Sequence, residues 1–279
     1  MGDFTELQFF DRSSILKNLE FCINNKKPFS LIRFGDGALK LIHAILFKDI
    51  PLINHIVSKE GIPEDKLLDI MQMYGYYARR ANFIDSPEIY FSNKSWNRFR
   101  VGKTPISNGT LEKIKRWKFY YSQAEFDNNN FCHPDINFIS LLSMKNQKDL
   151  LNIISKKRIC VITSCENLKN KLTRHCEVDI IPIVGFYGNQ YLNNYENVTK
   201  KIKTCSCDYD LWLVAAGELG RIYIGMIKEM GGRAFDLGSA VDYWSSGKIT
   251  NRLLAIMRPK RNGLGLILTS YGRLFERYL

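Results

Sequence analysis

Apolar and polar positions along the chain repeat with two periods, and the switches between them divide the first 80 residues into helices and one short strand. From Ser13 to Asn24 the apolar residues Ile15, Leu16, Leu19, Cys22 and Ile23 share one helical face, and Asn25-Lys26-Lys27-Pro28 ends the segment. Phe29 to Ile32 then reads as a buried strand, followed by Gly35-Asp36-Gly37, where glycine permits a sharp turn. From Asp36 onward Leu39, Ile42, Ala44, Ile45 and Leu46 return to helical spacing, with Asp36 in the N-cap position. Asp49-Ile50-Pro51 reads as a break. A further helix is expected from Pro63-Glu64-Asp65 through Leu67, Leu68, Ile70, Met71 and Tyr74 to about Arg80. A strand is expected over Ile84–Phe91. Two aromatic and basic stretches follow, one with Trp96, Arg98, Phe99 and Arg100, the other with Arg116, Trp117, Phe119, Tyr120 and Tyr121.

From about residue 147 the pattern becomes a regular alternation. A helix over Asp149–Ile154 precedes an apolar, β-branched run, Arg158 to Thr163, and Ser164–Leu172 reads as a helix. Further strands are expected at Val178–Val184, Leu211–Ala216 and Ala234–Gly238, with helices at Tyr195–Ile202 and Leu219–Met230. Strands alternating with helices imply an α/β fold, an open parallel Rossmann-type sheet covered by helices on both faces. The change of texture divides the chain into an N-terminal α/β portion, 1–146, and a Rossmann-like portion, 147–279, packed as one compact unit. Such sheets bind ligands beyond the carboxyl ends of their strands. That rim would carry Ser164, Gly185, Gly217, Glu218, Gly238 and Ser239, with Asp242 and Tyr243 close behind.

Composition narrows the partners. Forty Lys and Arg against 28 Asp and Glu give a net charge of +12, which favours an anionic partner. The basic residues are dispersed, with no aromatic-interleaved basic stripe, and this counts against a nucleic-acid reader. Seven cysteines contain no C-x-x-C pair, and several lie in apolar segments, as reduced cysteines of a cytosolic protein do. Cys205-Ser206-Cys207 with His175 and Cys176 fits no usual zinc spacing. No apolar run reaches the length of a membrane span, and the first residues, with acidic Asp3 and Glu6, do not read as a secretory signal. A cytoplasmic protein is the expectation.

The chemistry concentrates after the first strand. A strand, a glycine turn and a helix N-terminus beside Arg33 leave N–H groups and positive charge in one place, which suits a phosphate or a metal-bound diphosphate. The same local pattern is equally that of a structural turn in which Asp36 only caps its helix. Neither the dinucleotide fingerprint G-x-G-x-x-G nor a P-loop occurs after any predicted strand.

Arg33-Phe34-Gly35-Asp36-Gly37, after an apolar strand and opening a helix, resembles the signature of the GT-D fold glycosyltransferases, first catalogued as a bacterial domain of unknown function, which read R-F-G-D-G-E there. The later run Leu213 to Gly217, a helix, then Gly231 to Ser239 and Asp242-Tyr243-Trp244, is similar to that family's closing portion. The resemblance implies a glycosyltransferase that moves a sugar from a nucleoside-diphosphate sugar, such as a UDP-sugar, to a glycan, glycoprotein or lipid-linked acceptor in bacterial surface polysaccharide or glycoprotein biosynthesis. It also implies a divalent cation, Mn²⁺ or Mg²⁺, held in the family by Asp-x-Glu. Here Asp36 keeps the Asp and Ala38 replaces the Glu, which removes one hard oxygen ligand. Asp36 can hold the ion with substrate phosphates, Arg33 and Lys40 can neutralise the diphosphate instead, or the chain has lost catalysis.

On this reading Arg33, Gly35, Asp36, Gly37, Gly217 and Ser239 bind the donor, and any metal sits on Asp36. An acceptor hydroxyl also needs a base, for which Glu218 and Asp242 are the rim candidates; His133 is a lesser one. The alternative is a non-catalytic nucleotide- or glycan-binding module of the same fold. The basic and apolar segment 249–279 is read either as a peripheral contact with anionic membrane or as elements completing the second portion.

Overall fold

The computed structural model describes residues 8–10, 12–33, 48–85, 130–132, 144–184, 190–238, 241 and 244–245. Among the described residues eight strands form one sheet: β1 (Gln8–Phe10), β2 (Phe29–Arg33), β3 (Phe83–Asp85), β4 (Asn130–Cys132), β5 (Arg158–Thr163), β6 (Glu177–Pro182), β7 (Leu211–Ala215) and β8 (Arg233–Asp236). Their spatial order is β1-β4-β3-β2-β8-β7-β5-β6, and every pairing is parallel. The strands of residues 1–146 and 147–279 therefore meet at β2 and β8, where Phe29, Ser30 and Leu31 align with Arg233, Ala234 and Phe235.

The helices are α1 (Arg12–Asn24), α2 (Ile50–Glu60), α3 (Leu67–Arg80, preceded by a 3₁₀ turn at Glu64–Lys66), α4 (Met144–Ile154), α5 (Leu168–Leu172), α6 (Gln190–Cys205) and α7 (Gly220–Glu229). Alternate strand residues face opposite sides, so each sheet face builds its own core. One face joins Ile32, Ile84, Ile162, Trp212 and Val214 to α2, α3, α6 and α7. The other joins Phe29, Leu31, Val161, Leu213 and Phe235 to α1, α4 and α5. All-parallel sheets need this double cover because both faces of each strand are apolar.

Several sequence expectations change at the edges. Asp49-Ile50-Pro51 starts a helix instead of breaking one. The Asp49 carboxylate accepts the Leu52 N–H at 3.2 Å, and Pro51, in the first turn, has no N–H to lose. Gly61 closes that helix in the left-handed region. Helix α5 shrinks to five residues because Thr163 to Asn167 turn first, the Thr163 hydroxyl accepting the Cys165 N–H. Helix α6 is twice the expected length. The short strands β1 and β4 carry too few residues for a period to show. The aromatic and basic stretches 92–100 and 115–121, and the segment 249–279, lie outside the described residues.

Chain direction gives the sheet two functional edges. At the carboxyl rim lie the ends of β2, β8 and β7; at the amino edge, here the floor, each helix hands over to the next strand. From β5 the chain passes outward to β6, whereas from β7 it passes the other way to β8. Their carboxyl ends, Thr163 and Ala215, are register partners at this reversal, where ligands of open sheets bind.

Candidate functional site

At the rim, two basic and two acidic side chains from β2, β8 and the β7–α7 junction interlock. Arg33 is the last residue of β2, and its backbone N–H donates to Asp236 Oδ2 at 3.2 Å. The other carboxylate oxygen of Asp236 accepts the Gly238 N–H at 2.9 Å. Strand pairing explains this arrangement: β2 and β8 run side by side, so their ends reach the same level and the last side chain of β8 caps the end of β2. Gly238 adopts φ +50°, and a Cβ there would run into the Arg33 guanidinium. The turn after β8 thus needs glycine twice, for its backbone and for the arginine lying against it.

Arg221 joins this pair to the next strand. It lies in the first turn of α7, only 7% exposed. Its Nε donates to the Arg33 carbonyl at 2.6 Å, and its Nη1 donates to Glu218 Oε2 at 2.6 Å. The Glu218 carbonyl accepts the Tyr74 hydroxyl at 2.8 Å, which brings α3 to the same junction. One guanidinium therefore ties β2 to the β7–α7 junction, and a tyrosine from α3 holds that junction from the other side.

The electrostatics follow from burial and pairing. Burial pulls the Arg221 guanidinium down, but Glu218, Tyr74 and Asp236 outweigh that, and the net shift is upward. For Asp236 burial dominates and pushes the carboxyl up; the charges of Arg33 and Arg221 and the two backbone N–H groups oppose it without cancelling it. The Glu218 carboxylate is mostly buried in its ion pair. A buried pair of this kind holds its loop in one arrangement because neither partner tolerates losing the other.

Of the residues singled out from sequence, the structure brings Arg33 and Glu218 together through Arg221. Gly217 lies beside them, exposed, at φ +53°. Gly35, Asp36, Gly37, Ser239 and Asp242 lie outside the described residues, as do Ala38, Lys40 and His133. Among the described residues no three His, Cys, Asp or Glu side chains gather as metal ligands. The two rim carboxylates are engaged, Asp236 by backbone N–H groups and Glu218 by Arg221, so the described part of the rim does not fit a divalent ion. Cys22, Cys160, Cys165, Cys176, Cys205 and Cys207 carry reduced thiols. Sequence reasoning passed over Arg221 and used Asp236 only as part of a strand. Arg221 leaves a trace in Gly220-Arg221-Ile222-Tyr223-Ile224: a cation at the head of an apolar helix needs a carboxylate nearby, and Glu218 is three residues before it.

An open, all-parallel sheet with a charged junction at its carboxyl rim defines the α/β class that binds its ligands there. Residues 117–244 match the model of the GT-D fold-like domain. Three solved structures resemble the chain over 88% of its length. One is a selenomethionine-substituted structure of domain of unknown function 1792, 17% identical, with 83% of that chain covered and a TM-score of 0.56. Another, 18% identical with 83% covered and a TM-score of 0.53, is described as showing that this highly conserved domain has a distinct glycosyltransferase fold. The third, from Streptococcus sanguinis, is described as a new glycosyltransferase of that domain; it is 16% identical, with 87% covered and a TM-score of 0.53. The chain has the GT-D fold, as the resemblance of its R-F-G-D-G and closing segments implied. No curated protein matches it.

Proposed function

We propose that this chain is a glycosyltransferase that moves a sugar from a nucleoside-diphosphate sugar to a glycan, glycoprotein or lipid-linked acceptor, in the cytoplasm, as part of bacterial surface polysaccharide or glycoprotein biosynthesis. The observation that carries the proposal is the GT-D fold with Arg33, Gly217 and Gly238 on its carboxyl rim. In the reaction the acceptor oxygen bonds to the anomeric carbon as the bond from that carbon to the phosphate oxygen breaks. The electron pair leaves with the nucleoside diphosphate, and the hydroxyl proton passes to a base.

Each part of that step has a candidate. The diphosphate needs positive charge as it departs, and the Arg33 guanidinium with the backbone N–H groups of Gly35, Asp36 and Gly37 supplies it. Gly217 and Ser239 complete the donor site. Asp36 would hold Mn²⁺ or Mg²⁺, which would add Lewis-acid stabilisation of the leaving group when bound. For the base, the ion pair discriminates between the two candidates. The Glu218 carboxylate is engaged by the buried Arg221 guanidinium at 2.6 Å, which gives it a positioning role and makes Asp242 the base in this proposal. Ala38, where the family motif has Glu, favours the second reading, a binding module without turnover.

The test is a thermal-shift and calorimetric screen of nucleoside-diphosphate sugars, with and without Mn²⁺, on wild type and Asp36→Ala. Stabilisation by one nucleotide class, lost in the variant, is the expected result; slow donor hydrolysis then separates an enzyme from a binder. If no nucleotide sugar binds, the transferase proposal is wrong.

A further inference from the structure

The floor of the sheet, opposite the rim, carries a feature that sugar transfer does not use. Two turns lie side by side there, α1 to β2 and α4 to β5, joined where Lys157 Nζ donates to Asn24 Oδ1 at 3.3 Å. The first holds Lys26 and Lys27, the second Lys156 and Lys157. Among the described residues none of the four has a carboxylate partner; the floor's ion pairs join Arg158, the residue after Lys157, to Glu177 and Asp179 of β6. Lys26 and Lys156 also stand at φ 52° and 59°, in the left-handed region where glycine or asparagine fits with less strain. Lysine at both helix ends keeps an exposed positive charge at the expense of backbone comfort.

An exposed ring accompanies the charges. Phe21, in the last turn of α1, is 50% exposed, and Lys27 Nζ lies 4.9 Å from its centroid. Met230, 42% exposed, ends α7 beside the start of β8 and adds a second apolar side chain to the same edge. Left-handed lysine also occurs at Lys48, and exposed apolar side chains also occur at Ile50, Leu68 and Leu192; what distinguishes this edge is that two such lysines, an exposed ring and a further pair of lysines lie in adjoining turns. Besides Glu20, the acids of this edge are engaged elsewhere: Glu229 by the Tyr76 hydroxyl at 2.7 Å, Glu177 and Asp179 by Arg158, and Asp210 by the Arg158 backbone N–H at 2.8 Å; Asp208 stands beside them.

We propose that this floor docks on an anionic lipid bilayer, the lysines meeting the headgroups and Phe21 with Met230 entering the interface. A blunt sheet end with lysines around an apolar ring matches a planar anionic surface; a nucleic acid would call for arginines and stacked rings along a groove. Docked in this way, the chain holds its rim away from the membrane by at least the length of β5, about 20 Å for six residues. That favours an acceptor standing off the bilayer, a protein or a growing polymer, over a sugar on a lipid headgroup. Membrane docking is independent of donor binding, so its failure leaves the transferase proposal intact.

The experiment is co-sedimentation of the full chain with phosphatidylcholine vesicles, with and without phosphatidylglycerol. Wild type is expected to pellet only with the anionic vesicles and to be released by salt. Replacing Lys26 and Lys156 together with glycine removes two charges and relaxes two strained residues. That double variant is expected to lose roughly 25-fold in vesicle partitioning, at about a factor of five per surface lysine, while melting no lower than wild type. Phe21→Ser is expected to weaken binding without changing its salt dependence. Wild type that stays in the supernatant, or a double-glycine variant that pellets like wild type, overturns the proposal; the latter result would assign membrane binding to another part of the chain.

Discussion

Two buried arginines, Arg221 and Arg233, sit at opposite ends of the same sheet and differ in what they bind. Arg221, at the rim, donates to one main-chain carbonyl and to the Glu218 carboxylate. Arg233, on the floor and 4% exposed, donates to the carbonyls of Asp210 at 2.6 Å and Tyr209 at 2.7 Å. A carbonyl has a fixed dipole, so the Arg233 contacts stitch the loop before β7 to β8 and do not respond to ligands. Arg221 shares its field with two carboxylates, one of them shifted, so its surroundings respond to any anion or proton arriving at the rim. The same residue type serves as a static stitch at one end and as part of an ionisable junction at the other.

The largest effect expected from breaking this comparison is on Arg221. Arg221→Met leaves the Glu218 carboxylate buried without a partner and should cost about 3–5 kcal/mol in chemical unfolding. Arg233→Met strands two carbonyls at a cost of roughly 2 kcal/mol and should leave donor affinity unchanged. If the two variants changed donor binding equally, the division between rim and floor would be wrong.

Glu218→Gln sharpens the comparison at the rim. The amide keeps a hydrogen bond to Arg221 but loses the charge, for a stability loss of about 1–2 kcal/mol. A positioning residue so altered retains most of its turnover and raises KM, whereas removal of a general base lowers kcat by about 10²–10⁴-fold. Steady-state kinetics on the nucleotide sugar that binds separates these outcomes. Gly238→Ala is a smaller perturbation of the same junction. Its left-handed backbone costs about 1 kcal/mol. The added methyl displaces the end of the Arg33 side chain, so calorimetry should show donor affinity falling out of proportion to stability.

How far the sequence could be read differs between these places for physical reasons. The central strands were legible because apolar runs bounded by turn residues leave one assignment, as at Leu211–Ala215 and Phe29–Arg33. The start of α2 was misread because Pro51 signals both a break and a first turn, and only the Asp49 bond to Leu52 decides between them. Arg33 and Glu218 were legible as rim residues, since strand ends locate the rim. What Glu218 binds was not, because its pairing depends on α7 burying Arg221 and on β2 lying next to β8. That pairing, between segments about two hundred residues apart, left no local periodicity to read.

The smallest effect, and the finest probe of the rim, is the titration of Asp236. Its folded-state carboxyl lies above the ordinary carboxylate value because burial outweighs Arg33, Arg221 and the two N–H donors. A group raised on folding favours the folded state fully below its unfolded value and loses that contribution as pH climbs through the folded one. Asp236 should therefore contribute a fall in stability with rising pH just above the carboxylate range, the reverse of a salt-bridged aspartate. Asp236→Asn removes the titration while keeping an oxygen for one of the two N–H groups. Subtracting its stability–pH profile from that of wild type should leave a single downward step with increasing pH; a flat difference would mean that the charges around Asp236 cancel its burial. Arg233, whose partners are carbonyls, provides the control: the profile of Arg233→Met should run parallel to wild type across the same range.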